Sequence, residues 1–295
     1  MNHHPLRVPG QWYKGNLHAH TRHSDGDLPL EEAVRWHQEH AYDFLAVTDH
    51  RLVTDTSHFT RSGFLTIPGI EVNTGRTELC MDYHLIALGI AEYATPPYTL
   101  SVQKTIDELI ARGAVVFVAH PYWSGLLFSQ IQELRGLIGL EVFNASCQTD
   151  LGKGLSAVHW DDLLARGQRL WGLATDDTHA YTYDAGGGWV VVKAEALTVP
   201  FILHALRAGH FYSTTGPAIH DFYIQEGAAY VACSPVATIN FIGCTQWGSQ
   251  LRAARGEMLT EGSYRLTGKE RYLRVECVDS QGRVAWSNPI YLAGN

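Results

Sequence analysis

Residues 16–26 read Asn-Leu-His-Ala-His-Thr-Arg-His-Ser-Asp-Gly, and the interpretation of the chain begins with this stretch. His18 and His20 are two residues apart in it. In a β-strand, the side chains of residues i and i+2 lie on the same face, so a strand over 16–20 presents both imidazoles together. Asp25 follows within a few residues. The stretch therefore predicts half of a metal site at the end of a strand.

The bulk composition excludes several classes of protein. The chain has 295 residues, enough for one large domain or two, with 45% hydrophobic and 18% charged residues. A net charge of −8 without a basic run argues against a nucleic-acid surface. No apolar run approaches the length of a membrane span. Five scattered cysteines without a Cys-x-x-Cys pair favour reduced thiols in a cytoplasmic protein: Cys80, Cys147, Cys233, Cys244 and Cys277.

Short apolar runs alternate with amphipathic segments through most of the chain. Strands are predicted over 16–20, 44–47, 64–72, 84–88, 114–119, 140–143, 170–174 and 190–192. Helices are predicted over 29–40, 100–112, 155–166 and 201–207. This alternation indicates an α/β fold with a parallel sheet, and in a closed barrel all strand carboxyl ends meet at one rim. A doubly wound sheet would need a glycine-rich phosphate loop after the first strand, where this chain has histidines.

The pattern changes after Thr215-Gly216-Pro217. Leu273, Val275 and Cys277 alternate with polar residues, which is the period of a half-buried strand. We therefore expect two domains, a barrel over 1–215 and a small accessory β-sandwich over 216–295.

Nine imidazole or carboxylate side chains stand at or beside the ends of predicted core strands. They are His18, His20, Asp25, His50, Glu71, His84, His120, Asp177 and His179. A closed structural zinc site needs four ligands and usually includes thiolates. This set is larger and contains no cysteine, so it favours two or three zinc, manganese or iron ions with open positions for water.

A single histidine near a strand is more often a packing or surface residue than a ligand. On that ground no role is assigned to His37, His40, His58, His159, His204, His210 or His220. Asp49 and Asp176 are interpreted as helix caps or as carboxylates that position a ligand. If the strand before Asp176 continues extended, Asp177 and His179 share one face and Asp176 points to the other.

Several motifs resemble those of the polymerase and histidinol phosphatase (PHP) family of metal-dependent hydrolases. They are Leu17-His18-Ala19-His20 with Ser24-Asp25-Gly26, Val47-Thr48-Asp49-His50, Pro68-Gly69-Ile70-Glu71, His84, Ala119-His120-Pro121 and Asp177-Thr178-His179. They occur in the family's order over about residues 12–215. The tail 286–291 resembles the branch that includes carbaryl hydrolase, in which a β-sandwich follows the PHP domain. Asn16 departs from the pattern, since many members have an acid there, and Asp25 replaces a histidine found in some.

The resemblance implies a distorted (β/α)7 barrel with a site for two or three metal ions. It assigns one ion to His18, His20, Glu71 and Asp177. It assigns a second to Glu71, His84 and His120, with Glu71 bridging, and a third to Asp25, His50 and His179. Asp176 or His179 would transfer a proton to the leaving group.

The activity that follows is hydrolysis of a small phosphate ester by a metal-activated hydroxide, without nucleic acid or membrane as partner. The candidate phosphate contacts are Arg22, Arg51, Arg76 and Lys193, for each of which solvated surface charge is the alternative. The candidate pocket walls are Tyr83, Tyr122 and Trp123, for each of which core packing is the alternative. Two other functions stay open: hydrolysis of a carbamate, ester or amide at the same site, and a non-catalytic binding module with metals as scaffold.

Overall fold

The computed structural model describes residues 5–94 and 100–292. Up to residue 215 the chain contains β1 (Gln11–Asn16), α1 (Leu30–Glu39), β2 (Phe44–Val47), β3 (Leu65–Thr74), β4 (Tyr83–Leu88), α2 (Val102–Ala111), β5 (Val115–Val118), α3 (Phe128–Gln132), β6 (Gly139–Asn144), α4 (Ala145–Leu151), α5 (Ala157–Ala165), β7 (Trp171–Thr175), β8 (Trp189–Ala194), α6 (Val199–Ala208) and β9 (Phe211–Thr214). From residue 216 onward it contains β10 (Ile219–Gln225), β11 (Ala228–Val236), β12 (Thr238–Gly243), β13 (Gly248–Arg252), β14 (Leu259–Arg265), β15 (Tyr272–Val278), β16 (Val284–Ser287) and β17 (Ile290–Tyr291).

The central sheet is mixed, with strand order β9-β8-β1-β2-β3-β4-β5-β6-β7. Strands β1–β3 are parallel to one another, and so are β5–β7. The prediction of a parallel sheet is wrong for β4, which is antiparallel to both neighbours, and for β8, which is antiparallel to β1. The connection 75–82 between β3 and β4 is too short for a crossover helix, so these strands form a hairpin.

The edge strand β7 lies against β8 and β9 without forming a backbone ladder with either in the described part of the chain. Side chains bridge this seam instead. The Ser213 hydroxyl donates to the carbonyl of Gly172 (2.7 Å) and accepts from the N–H of Ala174 (3.0 Å). Asn288 Oδ1 accepts from the N–H of Gly172 at 3.2 Å. Side-chain bonds thus satisfy part of the backbone at this edge.

The first strand lies earlier than predicted. β1 covers Gln11–Asn16, because its residues pair with β8 from Gln11 to Gly15 and with β2 at Gly15 and Asn16. His18 and His20 follow in an extended segment, where Ala19 forms a bridge with Thr178 and its carbonyl accepts from the N–H of Thr48 at 2.9 Å. The two imidazoles therefore still lie beyond the carboxyl end of a strand, whose last two residues are buried.

The four predicted helices are confirmed as α1, α2, α5 and α6, with ends shifted by at most two residues. Gly209 caps the carboxyl end of α6, and its φ of 75° is left-handed, a conformation that suits glycine. Helices α3 and α4 were not predicted, because elements of five and seven residues are too short to show a helical period.

Strands β10–β17 form two antiparallel layers, one of which is the separate sheet β10-β11-β14. The other layer contains β12, β13, β15, β16 and β17, and Val231, Phe241 and Val275 pack in the core between the layers. Because β16 pairs with β9, this second layer continues the central sheet. We propose a domain boundary at 215/216, because the strand pairing changes there from mixed to antiparallel. None of the described helices is long and apolar enough to span a membrane.

Candidate metal centre

All nine candidate ligands lie together at the end of the sheet where β1, β2, β5 and β7 finish. Their possible ligand atoms form three overlapping groups, each with its atoms within 4.8 Å of one another. The groups are His18-His20-Glu71-Asp177, Glu71-His84-His120, and His20-Asp25-His50-His179. The described part of the chain places none of the seven histidines without an assigned role in these groups.

The central group is buried and tightly spaced. His18 Nε2 lies 3.0 Å from both Glu71 Oε2 and Asp177 Oδ1. His20 Nε2 lies 3.1 Å from the same two oxygens, and the two Nε2 atoms are 3.1 Å apart. Four donor atoms bound to a tetrahedral divalent ion at about 2.0–2.1 Å are roughly 3.3 Å from one another, which is close to this spacing.

The orientation of His18 also fits a cation at the centre of this group. Its Nδ1–H donates to Glu141 Oε1 at 2.7 Å, which leaves the Nε2 lone pair directed at the oxygens of Glu71 and Asp177. Acceptors that face acceptors in a buried site repel one another unless a positive charge lies between them. A metal ion supplies that charge, so the donor set fits the group that the sequence predicts.

Glu71 divides its two carboxylate oxygens between two sets of imidazoles. Oε2 faces His18 and His20, whereas Oε1 lies 2.6 Å from His84 Nδ1 and 3.4 Å from His120 Nε2. The other ring nitrogen of His120 bonds to the Ser124 hydroxyl at 3.0 Å, which leaves Nε2 available. Glu71 therefore offers one oxygen to each of two neighbouring groups that could hold a metal ion.

The third group is looser and more exposed. Asp25 Oδ2 lies 3.5 Å from His50 Nε2 and 3.6 Å from His179 Nε2, and the Asp25 side chain is 52% exposed. Nδ1 of His179 bonds to the carbonyl of Asp177 at 2.8 Å, so Nε2 faces Asp25. Nδ1 of His50 is buried without a hydrogen-bond partner. This group has the chemistry of a third metal site with open positions.

The charges in the centre are strongly coupled. Burial lowers the pKa of His20, but Asp177 and Glu71 outweigh burial and raise it to about 9. Burial likewise favours a raised pKa for Glu71, but His18 and His84 hold the pKa of this carboxyl well below its usual value. The folded centre therefore requires positive charge, either as protons on imidazoles or as divalent cations.

Glu141 is a functional residue that the sequence analysis missed. It is fully buried in β6 and accepts from His18 Nδ1 through Oε1 (2.7 Å) and from the backbone N–H of His120 through Oε2 (2.8 Å). Thr175 Oγ1 and Asn144 Nδ2 also donate to it, each at 2.8 Å. The available signal was an acid inside the apolar strand, since a buried carboxylate needs partners.

Asp176 does not contact any ligand imidazole among its described hydrogen bonds. Its carboxylate accepts from the backbone N–H groups of Gly186, Gly187 and Gly188 at 2.8–2.9 Å. Burial raises its pKa to about 7, against the effect of these three bonds. The sequence analysis offered Asp176 for proton transfer or for positioning a ligand imidazole, but its contacts favour a structural role that fixes the loop beyond β7.

The backbone after β7 is not extended, so the argument that assigned Asp177 by strand alternation is wrong. β7 ends at Thr175, and Asp177 has a φ of 55°, which is unusual for a residue with a Cβ. This left-handed turn directs Asp177 into the central group. His120, with a φ of 28°, is a second non-glycine residue with positive φ at the centre. Backbone strain of this kind is concentrated at functional sites.

A cavity of about 370 Å³ opens above the three groups. Besides seven of the nine candidate ligands it is lined by Trp123, Ser146, Cys147, Asp150 and Tyr183. Of the three predicted wall residues only Trp123 lines it. Tyr83 is buried in the core, and Tyr122 is exposed outside the lining. Tyr183 was not predicted.

None of the four predicted phosphate contacts lines this cavity. Arg22 donates to a backbone carbonyl at 2.7 Å, and Arg76 lies 3.8 Å from a carboxylate oxygen of Asp82. Lys193 donates to another backbone carbonyl, and the side chain of Arg51 is exposed. The described lining of the cavity contains neither lysine nor arginine.

The whole chain aligns with a solved two-domain protein from Bacteroides vulgatus ATCC 8482, which contains a predicted PHP-like metal-dependent phosphoesterase. The TM-score is 0.56 at 15% identity, over 97% of this chain and 98% of that chain. This chain shares the fold of that two-domain protein. The similarity includes the C-terminal strands, since the alignment extends over nearly the full length of both proteins.

Two further solved structures are similar over part of this chain. A protein assigned as a metal-dependent phosphoesterase from Bifidobacterium adolescentis has a TM-score of 0.44 and 16% identity, over 56% of this chain and 87% of its own. An amidohydrolase from Chromobacterium violaceum, with bound sulfate and no metal, has a TM-score of 0.47 and 18% identity, over 67% and 96%. The sequence matches no family model and no curated protein. The carbaryl-hydrolase branch stays a hypothesis.

Proposed function

We propose that this protein is a metal-dependent hydrolase that cleaves a phosphate ester of a small molecule. The observation that supports it most is the division of Glu71 between two imidazole sets, Oε2 toward His18 and His20 and Oε1 toward His84 and His120. Paired ions that share a bridging ligand are the usual catalysts of phosphoester hydrolysis. The solved structure that aligns with 97% of this chain contains a predicted PHP-like metal-dependent phosphoesterase.

His18, His20, Glu71 and Asp177 would hold one divalent ion, and Glu71, His84 and His120 a second. Asp25, His50 and His179, with His20, would hold a third. Nitrogen and oxygen donors in this mixture suit zinc, manganese or iron. When bound, such ions supply hydroxide at neutral pH and stabilise charge on phosphoryl oxygens.

The protein's own residues contribute position and protons. Glu141 fixes the tautomer of His18 by accepting its Nδ1–H, so Nε2 keeps a lone pair for the metal. His179 lines the cavity with Nε2 directed into it. With two ions bound, His179 would protonate the leaving group; with three, it would be a ligand. The number of ions per chain distinguishes these roles.

A second candidate function is hydrolysis of a carbamate, ester or amide by the same centre. One observation favours it, namely the lack of lysine and arginine in the described cavity lining. A phosphate group at this centre would have to be held by the metal ions and neutral donors alone. The phosphoester proposal therefore requires that the ions provide most of the anion binding.

The test compares two adjacent aspartates. Asp177→Asn should lower metal content and activity together, because Asp177 Oδ1 lies within 3.1 Å of both central imidazoles. Asp176→Asn is the matched control and should retain metal, because its carboxylate faces the glycine loop. Metal is measured by elemental analysis. Hydrolysis is measured on phosphomonoesters, phosphodiesters, carbamates and amides, with an expected loss of at least ~100-fold in Asp177→Asn.

Each result decides between the candidates. Metal-dependent turnover of a phosphoester supports the proposal, and turnover of only the carbamates or amides replaces it with the second candidate. Metal-loaded protein that hydrolyses no compound of the panel favours the non-catalytic binding module. Full activity in metal-free protein, or metal loss confined to Asp176→Asn, contradicts the centre itself.

A further inference from the structure

Exposed apolar side chains are concentrated at the end of the sheet that carries the metal centre, in segments that follow strands of one direction. The described residues include twelve exposed large apolar side chains, and eight of them lie in segments that follow β3, β5, β6 and β7. Leu79 and Met81 follow β3, and Tyr122 and Leu127 follow β5. Leu151, Leu155 and Val158 follow β6, and Tyr183 follows β7. We call this set the apolar rim.

The apolar rim is continuous with the cavity wall. Tyr183 lines the cavity itself, and Trp123, which also lines it, is adjacent to Tyr122 in the chain. The ring of Trp123 lies 5.0 Å from that of the ligand His120. On the outer side, the Leu79 side chain packs over Gly125, in the same loop as Tyr122. A group that leaves the metal centre past Trp123 therefore meets apolar side chains.

Exposure of this kind costs free energy unless something covers it during function, and contiguous apolar surface on a monomer usually marks a binding site. The cavity offers no lysine or arginine in its described lining for a second anionic group of a substrate. The site thus combines one place for a metal-bound ester with apolar side chains beside it.

We propose that the substrates are esters of an apolar alcohol, with an alkyl or aryl group that lies on the apolar rim while the ester reaches the metal centre. This inference rests on the proposed hydrolytic function and names the substrate class for the same site. The occupant is the substrate's own leaving group, because the apolar rim adjoins the cavity at Trp123 and Tyr183.

The test uses methyl, butyl and hexyl phosphates, as monoesters and as methyl diesters, with metal-loaded protein. These alcohols differ little in acidity, so chain length changes mainly contact. A fully buried methylene contributes about fourfold to binding, and a half-covered one about twofold, so kcat/KM should rise roughly 30-fold from methyl to hexyl. The double substitution Leu79→Ser, Leu155→Ser should reduce this hexyl-to-methyl ratio to below about fivefold.

Phe201→Ser with Met258→Ser is the matched control, because both residues are exposed and apolar but lie outside the apolar rim. It should keep the wild-type hexyl-to-methyl ratio. A binding measurement separates this inference from the proposed function. Methyl- and hexylphosphonate are not hydrolysed, and calorimetry with metal-loaded protein should show tighter binding of hexylphosphonate, lost in the double variant.

Turnover without any dependence on chain length overturns the inference and leaves the phosphoester function intact. Tighter binding of hexylphosphonate without turnover of any phosphate ester supports the apolar rim and overturns the phosphoester reaction. No preference in either measurement overturns the inference. A wild-type dimer that the double variant dissociates, seen by sedimentation, assigns the apolar rim to self-association and also overturns it.

Discussion

At the scale of single residues, the metal centre depends on side chains that would never touch an ion. Glu141 joins two candidate ligands, the ring of His18 and the backbone of His120, through its two carboxylate oxygens. Asp49 has a similar position beneath the loop that carries Asp25, since the Thr21 N–H (2.7 Å) and the Ser24 hydroxyl (2.9 Å) both donate to it. Buried carboxylates of this kind fix the orientation of the ligands.

The first prediction at this scale concerns Glu141→Gln. The amide keeps the shape but cannot accept from all four donors, and its N–H₂ group would face donors. The orientation and tautomer of His18 should be lost, with a 10- to 100-fold fall in metal affinity or in kcat/KM. Competition with a metal-binding dye measures the affinity.

Glu39→Gln, at the exposed end of α1, is the control and should behave as the wild type. Metal affinity in Glu141→Gln within twofold of the wild type would show that the carboxylate only fills space.

At the scale of elements, β7 forms a backbone ladder on one side only, with β6. It precedes Asp177 and His179, and its outer edge is bonded to the side chains of Ser213 and Asn288 instead of to the backbone of a neighbouring strand. Asn288 is buried, and its amide also donates to the carbonyls of Gly209 and Phe211 at 3.2 and 3.1 Å. A residue from the C-terminal part therefore helps to hold the strand that carries two candidate ligands.

Asn288→Ala should destabilise the protein by about 2–4 kcal/mol, because buried backbone groups lose their partners. Guanidinium denaturation of metal-free protein measures the change without a contribution from bound ions. Asn240→Ala is the control, because that side chain bonds only to an exposed glutamine in the described contacts, and it should cost less than about 1 kcal/mol. Equal midpoints for the two variants would contradict the role of Asn288 at the seam.

The elements also show how far the sequence predicts this fold. Buried strands and long helices were predicted because burial on both faces and a 3.6-residue period are local signals. The reversed direction of β4 and β8 was not, because it depends on which neighbours the strands find. The nine clustered residues were predicted because each follows or flanks an apolar run. Glu141 and the contacts of Asp176 were missed because their partners are distant in sequence and meet only in the folded protein.

At the scale of the whole molecule, the metal centre links stability to pH. The pKa of His20 is about 9 in the folded protein and near 6.5 when unfolded. Without metal, the folded state binds the extra proton more tightly, so this contribution to stability is complete below pH 6.5 and is lost as pH rises through about 9. Metal competes with the same protons, so its affinity should rise over this range.

Two series of thermal denaturation curves between pH 6 and 9.5 measure this linkage, one with chelator and one with added zinc or manganese. The difference in Tm between them should grow with pH. A constant difference, or one that shrinks above pH 7, would show that the imidazoles are neutral in the metal-free fold. His37 lies outside the three groups, and its pKa of about 4 in the folded protein gives the same contribution to both series, so its effect cancels in the difference.

The ladder between β9 and β16 bears on how this protein can be inherited. A domain joined to its neighbour by a flexible tether can be gained, lost or exchanged by recombination at little cost to either part. Here a cut at that ladder would leave two bare strand edges, and it would also remove Asn288 from the seam of β7. The two parts of the chain are therefore expected to pass from ancestor to descendant as one heritable unit.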